Sequence, residues 1–385
     1  MKKRYAILAG VTLASLLSIP TLPGLPASAE AASFRVNNRA DLPDIDPGDG
    51  VCKAAVSTNT DREPLLTCTL RAAVMEANAL PGADEIRVPG GRFRLDRKGG
   101  FTETEGAFGD LDIVDKLTII GRGKGRTIID ASALDDRIFD IHDPSIVVMS
   151  GMTLRGGEVL GSRATGDQQQ TGELECPIVK PADGADGGGL LNRGGIVRLT
   201  DMSFEDNFAI CDGGGVENQN DGIMLLTDCD FLENVAIGSG GGVENDEDSI
   251  MTIGTSRPTL TPAPPPTEGE PNPRGTLVIP PKARFERNNA HENGGAIASD
   301  DSFIVIRNAE VRDNLAYGRG GGIWNGDSDV MTVSRSTVTS NDAADGGGIF
   351  NNDGFLTLQS TVVQENSPND IVDFNIQEGL PPDNF

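Results

Sequence analysis

A glycine-rich tract followed by an aliphatic residue recurs six times in the second half of this chain. GGGLLN begins at Gly187, GGGVEN at Gly213 and again at Gly240, GGAIAS at Gly294, GGGIWN at Gly320 and GGGIFN at Gly346. The starts lie 26, 27, 54, 26 and 26 residues apart. A second marker keeps the same phase, ending at Asn207 (FEDN), Asn234 (FLEN), Asn288 (FERN), Asn314 (VRDN), Asn341 (VTSN) and Asn366 (VQEN). Two independent markers on one period constrain the fold strongly. A period near 26 is the signature of a solenoid in which each repeat is one stacked unit.

Strand repeats fit better than helical ones. Between the markers run short aliphatic segments, such as Ile196-Val197-Arg198-Leu199, Phe303-Ile304-Val305-Ile306 and Phe355-Leu356-Thr357-Leu358, bounded by Gly, Asn and Asp. The chain holds 49 Gly in 385 residues, and each mid-helix Gly costs ~1 kcal/mol. Aromatics are only 4%, so the core is aliphatic. The expected architecture is an all-β parallel β-helix over 84–366, its coils ~4.8 Å apart. Less regular early coils are predicted from Ile86–Val88, Leu117–Ile120, Thr127–Ile129, Ile138–Ile141, Ile146–Met149 and Met152–Leu154.

Glycine supplies the positive φ and close backbone approach that turns between strands require. Asn192, Asn218, Asn245, Asn325 and Asn351 recur at one phase, with Ser299 in the remaining coil. They are expected at left-handed turns, hydrogen-bonded as a ladder from coil to coil. The doubled interval of 54 holds a Pro-rich insertion at 256–281, read as a loop expelled from one coil. A polar stretch at 158–183 reads as a second one, and 367–385 as a tail covering the last coil.

Lys2, Lys3 and Arg4, a short apolar run to Pro20 and the small residues Ala27-Ser28-Ala29 read as a signal peptide over 1–29. The run is too short to span a membrane, and export permits disulfides. The chain has five Cys, so one stays unpaired within it. Cys229 lies two residues before the Phe of its marker and points inward with it, so it is read as a buried free thiol.

CTLRAAVMEANA at 68–79 is the one strong helical stretch. It resembles the CSLREA motif of secreted bacterial right-handed β-helix proteins of the pectin-lyase-like superfamily. Cys68, Leu70, Arg71, Ala73, Ala77 and Asn78 match, while Ala72 stands where that family usually has Glu. The resemblance implies an N-terminal cap over 34–83 with a helix covering the first coil, which an open solenoid end needs. It also implies a Cys52–Cys68 disulfide, through the GDGVC segment at 48–52. With that pair assigned and Cys229 inward, Cys176–Cys211 remains. The glycine and asparagine markers over 184–366 resemble repeats of chlamydial polymorphic outer-membrane proteins, which are adhesins; their autotransporter barrel has no counterpart here.

A net charge of −26 excludes the electrostatic footprint of a nucleic-acid binder and disfavours anionic membranes. Two His in the chain make a His-rich metal site or a His-dependent triad unexpected, and His142 and His291 receive no role. The closest approach to a catalytic constellation is Asp135-Asp136-Arg137 with Asp140, since many enzymes of this fold combine clustered Asp with a basic residue. Position five of the glycine marker holds Leu191, Glu217, Glu244, Ala298, Trp324 and Phe350, and by alternation faces outward. Glu217 and Glu244 then stack as like charges, with Asp221 and Asp248 around the next turn. Stacked carboxylates are destabilising unless an oxygen-loving cation such as Ca²⁺ joins them. Trp324 and Phe350, outward on neighbouring coils, are the most ligand-like surface, suited to stacking on sugar or to a protein partner. The leading reading is a monomeric, exported or cell-surface solenoid that presents a binding or adhesion surface without catalysis or a required cofactor. The alternative is a polysaccharide lyase or glycoside hydrolase.

Overall fold

A computed structural model of the chain describes residues 31–56, 65–99, 106–160, 176, 185–254, 259–261, 276–278, 283–327 and 329–374. The 26-residue period becomes one coil of a right-handed parallel β-helix. A nine-stranded parallel sheet runs from Leu111–Ile113 to Ile371–Asp373, and a five-stranded parallel sheet from Glu158–Val159 to Leu315–Ala316. The third and largest sheet, of 16 strands, turns a corner. Its ten-residue strands Ile146–Arg155, Ile196–Glu205 and Ile223–Leu232 bend at Gly151, Asp201 and Asp228, where φ is 68°, 55° and 54°. The pairing skips those residues and resumes beyond them, so one strand serves two faces.

The strand candidates of the early coils all fall in or beside observed strands, as in Lys116–Ile120, Thr127–Asp130 and Phe139–His142. The main core is a column of mostly aliphatic side chains running through the coils. Phe204, Phe231 and Phe285 stack along it with centroids 4.9 and 4.7 Å apart, the spacing of the coils. Cys229 is buried in the same core and unpaired.

Two asparagine ladders line the corners. The residue before each marker asparagine is left-handed: Asp206, Glu233, Arg287, Asp313, Ser340 and Glu365, with φ between 53° and 60°. The asparagine after it, freed from that strain, turns its amide inward. Asn207, Asn234, Asn288, Asn314, Asn341 and Asn366 are joined side chain to side chain at 2.9–3.0 Å. The second ladder joins Asn192 to Asn218 at 2.6 Å and Asn218 to Asn245 at 2.7 Å. These residues lie within strands and not at left-handed turns; the left-handed positions are Asn220, Asp221, Glu247 and Asp248. A side chain that reaches its counterpart in the next coil must point inward, which a regular strand provides.

The helix Leu70–Ala79 packs on strands Ala83–Arg87 and Leu111–Ile113 at the first coil, and Thr69 caps it by accepting from the Ala72 N–H. Its Arg71 is fully buried, held by the Asp41 carboxylate at 2.6 Å and by the carbonyls of Gly106, Gly109 and Asp110. The disulfides are Cys52–Cys68 and Cys176–Cys211.

Three boundaries shift. Glu158–Val159 is a strand of the five-stranded sheet, so the coil continues past 158. Within 256–281, Thr259–Thr261 pairs antiparallel with Thr276–Val278, so that part is a hairpin rather than extended polyproline. Ile371–Asp373 pairs with Ile349–Asn351, so the tail opens as one more strand. The segment 1–29 read as a signal peptide, and most of the remainder of the two segments read as expelled loops, lie outside the described residues.

Candidate functional site

On the nine-stranded sheet, core residues flank one position per strand that points away from the core. In register this column reads Asp112, Asp140, Leu191, Glu217, Glu244, Ala298, Trp324, Phe350 and Val372. The sequence places its members from Leu191 to Phe350 outward. Outward is not exposed: Glu217 is 1% accessible, Glu244 5%, Trp324 8% and Phe350 0%.

The glycine marker explains the cover. The first Gly of each marker has φ near +65° and folds its turn back over the column residue four positions later. A Cβ on Gly240 would lie 2.7 Å from Glu244 Cβ, one on Gly294 2.8 Å from Ala298 Cβ, and one on Gly320 2.9 Å from Trp324 Cβ. Contacts below 3.0 Å are sterically forbidden, so only glycine roofs the column. Phe350 is further enclosed by Phe374, edge-on at 5.4 Å, and by the Arg319 guanidinium 4.8 Å above its ring. Trp324 and Phe350 therefore form a small satellite core with Ala298 and Val372, not an exposed stacking platform.

Glu217 and Glu244 do sit directly opposite each other. Asp221 and Asp248, however, are exposed at left-handed turns, beyond the inward Asn218 and Asn245. The four carboxylates are not drawn together. Among the described residues, the three-member group whose ligand atoms all lie within 4.8 Å is Asp112, Asp140 and His142.

That group is the polar end of the column. His142 Nε2 lies 2.8 Å from Asp112 Oδ1 and 3.8 Å from Asp140 Oδ1. Arg193, next to His142 in register, grips Asp140 through Nε (2.9 and 3.0 Å) and Nη2 (2.9 Å). Arg137 Nη1 reaches Asp140 Oδ2 at 2.8 Å and Asp110 Oδ2 at 3.2 Å. Burial opposes charge on Asp140, but Arg137, Arg193 and His142 together hold its carboxyl below the usual range. Asp110 goes the other way: burial, then the neighbouring Asp136, pushes it well above. The hydrogen bond to Asp112 raises His142 despite its partial burial. Burial also opposes the charge of Arg137, and the carboxylates around it outweigh that, raising it.

The sequence reading assigns no catalytic residue and names Asp135, Asp136, Arg137 and Asp140 only as the nearest approach to a catalytic set. Asp135 is instead exposed at a left-handed turn and paired with Lys98. Arg137 is buried and committed to two carboxylates, so it is not a base open to solvent. The sequence reading missed His142 and Arg193, which carry no motif. Only the register between Phe139–His142 and Leu190–Arg193 brings them together. Two guanidinium groups already neutralise Asp140, so the cluster suits an ion-pair network better than a divalent cation. His291 meets Tyr317 edge-on at 4.9 Å.

No known family model and no curated protein matches the chain. Among solved structures it is similar to a pectin methylesterase in complex with a hexasaccharide, at 11% identity and TM-score 0.37, covering 74% of this chain and 76% of that one. It is also similar to pectin methylesterase PemA from Erwinia chrysanthemi, at 10% identity and TM-score 0.39, covering 86% and 90%. The A-module of the Azotobacter vinelandii mannuronan C-5 epimerase AlgE4 aligns at 10% identity and TM-score 0.24, over 75% and 90%. Among the described residues no helix is long and apolar enough to cross a membrane.

Proposed function

We propose that this chain is an exported β-helix solenoid that presents a binding surface and performs no chemistry on what it binds. The observation that carries the reading is the state of Asp140. Both of its oxygens are engaged by Arg137 and Arg193, and the side chain is 5% accessible. A nucleophile or general base needs a free lone pair within reach of substrate, and this carboxylate spends its own on holding strands together. Export is supported by the N-terminal segment and by two disulfides, which persist in oxidising compartments. The likeness to CSLREA-type and polymorphic-repeat proteins supports a place at the cell surface.

The enzymatic alternative draws on one feature. Asp110 and Asp140 flank Arg137 with their proton affinities pushed apart, a pattern that marks acid–base pairs. Incubation of the purified protein with neutral and acidic polysaccharides separates the two readings. The expected result is no unsaturated product, no new reducing end and no released alcohol. Turnover that disappears in Asp140→Asn while the variant remains folded would overturn the proposal.

A further inference from the structure

One face of the solenoid carries a continuous apolar ridge. Ile146, the first residue of its bent strand, lies in register beside Ile196, Ile223 and Ile250, and the row continues through Phe303 and Val330 to Phe355. Alternation turns each of them away from the core, while the residue that follows each points inward. All of them are between 40% and 70% exposed. Single exposed aliphatic residues are ordinary on a protein surface. A line of them on successive strands of one sheet is a patch of the kind that marks a protein contact.

The ridge also lies where the chain places no acid. Segments 146–150, 196–200, 223–227, 250–253, 303–307, 330–334 and 355–359 contain no Asp or Glu, and their charged residues are Arg198 and Arg307. Beyond the bend of the same sheet, the positions turned away from the core include Glu205, Asp230, Glu286 and Glu310. The chain holds 58 Asp and Glu and a net charge of −26. An acid-free strip is therefore the surface on which a molecule as acidic as this one approaches against the least repulsion.

We infer that this ridge is the contact of a two-fold dimer whose partner is a second copy of the chain. The inference goes beyond the display reading and replaces the monomer that the sequence suggests. Rows of the ridge recur at ~4.8 Å, the spacing of the coils. A second copy presents the same period, so side chains of one ridge seat between those of the other along its whole length. A partner without that period matches only a few rows. Sheets packed face to face interdigitate in this way at ~10 Å. The rows of the ridge, on strands about five residues long, cover about 34 by 16 Å, so a dimer buries roughly 1,100 Å² in all, just above the ~1,000 Å² that a specific interface needs. That area fits a weak dimer that forms with rising concentration in the micromolar range. A two-fold interface is isologous, so the middle row, Ile250, meets its own counterpart.

The test is sedimentation velocity of the full exported chain from about 1 to 200 μM, a range that spans weak dimerisation, at about 0.05 and 0.5 M NaCl. Dimer should grow with concentration and with salt, because salt screens the repulsion between two acidic copies. Ile223→Glu/Phe303→Glu should weaken it at least about tenfold. Tyr317→Glu, at an exposed aromatic residue off the ridge, should leave it unchanged. Circular dichroism checks the fold of each variant. Ile250→Cys probes the ridge without added charge: mild oxidation should link it into a covalent dimer, while Tyr317→Cys should remain uncoupled and Cys229, buried, takes no part. A monomer at every concentration and salt overturns the proposal, whether the ridge is then covered by another protein or by none. Association that weakens with salt, survives the Glu substitutions on the ridge, or links equally through Tyr317→Cys lies elsewhere on the surface and overturns it as well.

Discussion

Asn288 sits in the middle of the longer asparagine ladder, and Asn288→Ala tests whether that ladder holds the coils together. Its Nδ2 donates to the Phe231 carbonyl and to Asn314 Oδ1, each at 3.0 Å. Its Oδ1 accepts from the backbone N–H of Asn234 at 3.1 Å and from Asn234 Nδ2 at 3.0 Å. Alanine removes all four bonds and leaves two buried donors of Asn234 without their acceptor. An orphaned buried donor costs ~1–3 kcal/mol, so the variant should lose about 2–6 kcal/mol. Asn366→Ala is the internal control. Asn366 ends the same ladder but is only partly buried, so water can replace its bonds and the loss should stay near ~1 kcal/mol. Urea unfolding followed by circular dichroism measures both, with coincidence of a second probe to establish that the solenoid unfolds as one unit. The reasoning fails if Asn288→Ala lies within ~0.5 kcal/mol of the wild type, or costs no more than the control.

Burial raises Asp329 to about 7, against the donors of Ser302 and Gly326, so the native state holds a proton that the unfolded state, near 3.8, releases. The contribution of Asp329 to stability is therefore largest below about pH 4 and is lost as pH rises to 7, so the stability of the wild type relative to Asp329→Asn should fall across this window; a difference that grows with pH would contradict the sign. Gly320→Ala should be more destabilising than Gly125→Ala. Both have positive φ, but only the first places a Cβ against Trp324 and the Ile323 carbonyl, while nothing lies within 4 Å of the second, so equal thermal shifts would remove the argument that glycine roofs the column. Burial pushes the Cys229 thiol up to about 12, so the native protein should be silent to a thiol reagent and release one thiol on denaturation without reductant; reaction of the folded protein would place Cys229 outside the core.

The coil, its length and its inward face were legible in the sequence because they repeat. A residue such as Cys229 inherits its direction from Met202 and Ala283 at the same phase, and each coil pairs with the next at the marker spacing. The glycines were legible for the same reason, since one conformation recurs in every copy. Alternation also gave the outward direction of Glu217, Glu244, Trp324 and Phe350. It could not say that a glycine turn closes over them, because solvent access depends on what packs above a side chain and not on where its Cβ points. The left-handed assignment of Asn192 and its equivalents failed because asparagine suits both a turn and an inward ladder. Only the contact with the neighbouring coil decides between them. The charged cluster lay furthest from the sequence. Asp112, Asp140, His142 and Arg193 come from coils of unequal length and share no motif. Stacking in register converts their separations in sequence into neighbours a few ångströms apart, and pairwise electrostatics at that range is decided by the tertiary structure alone.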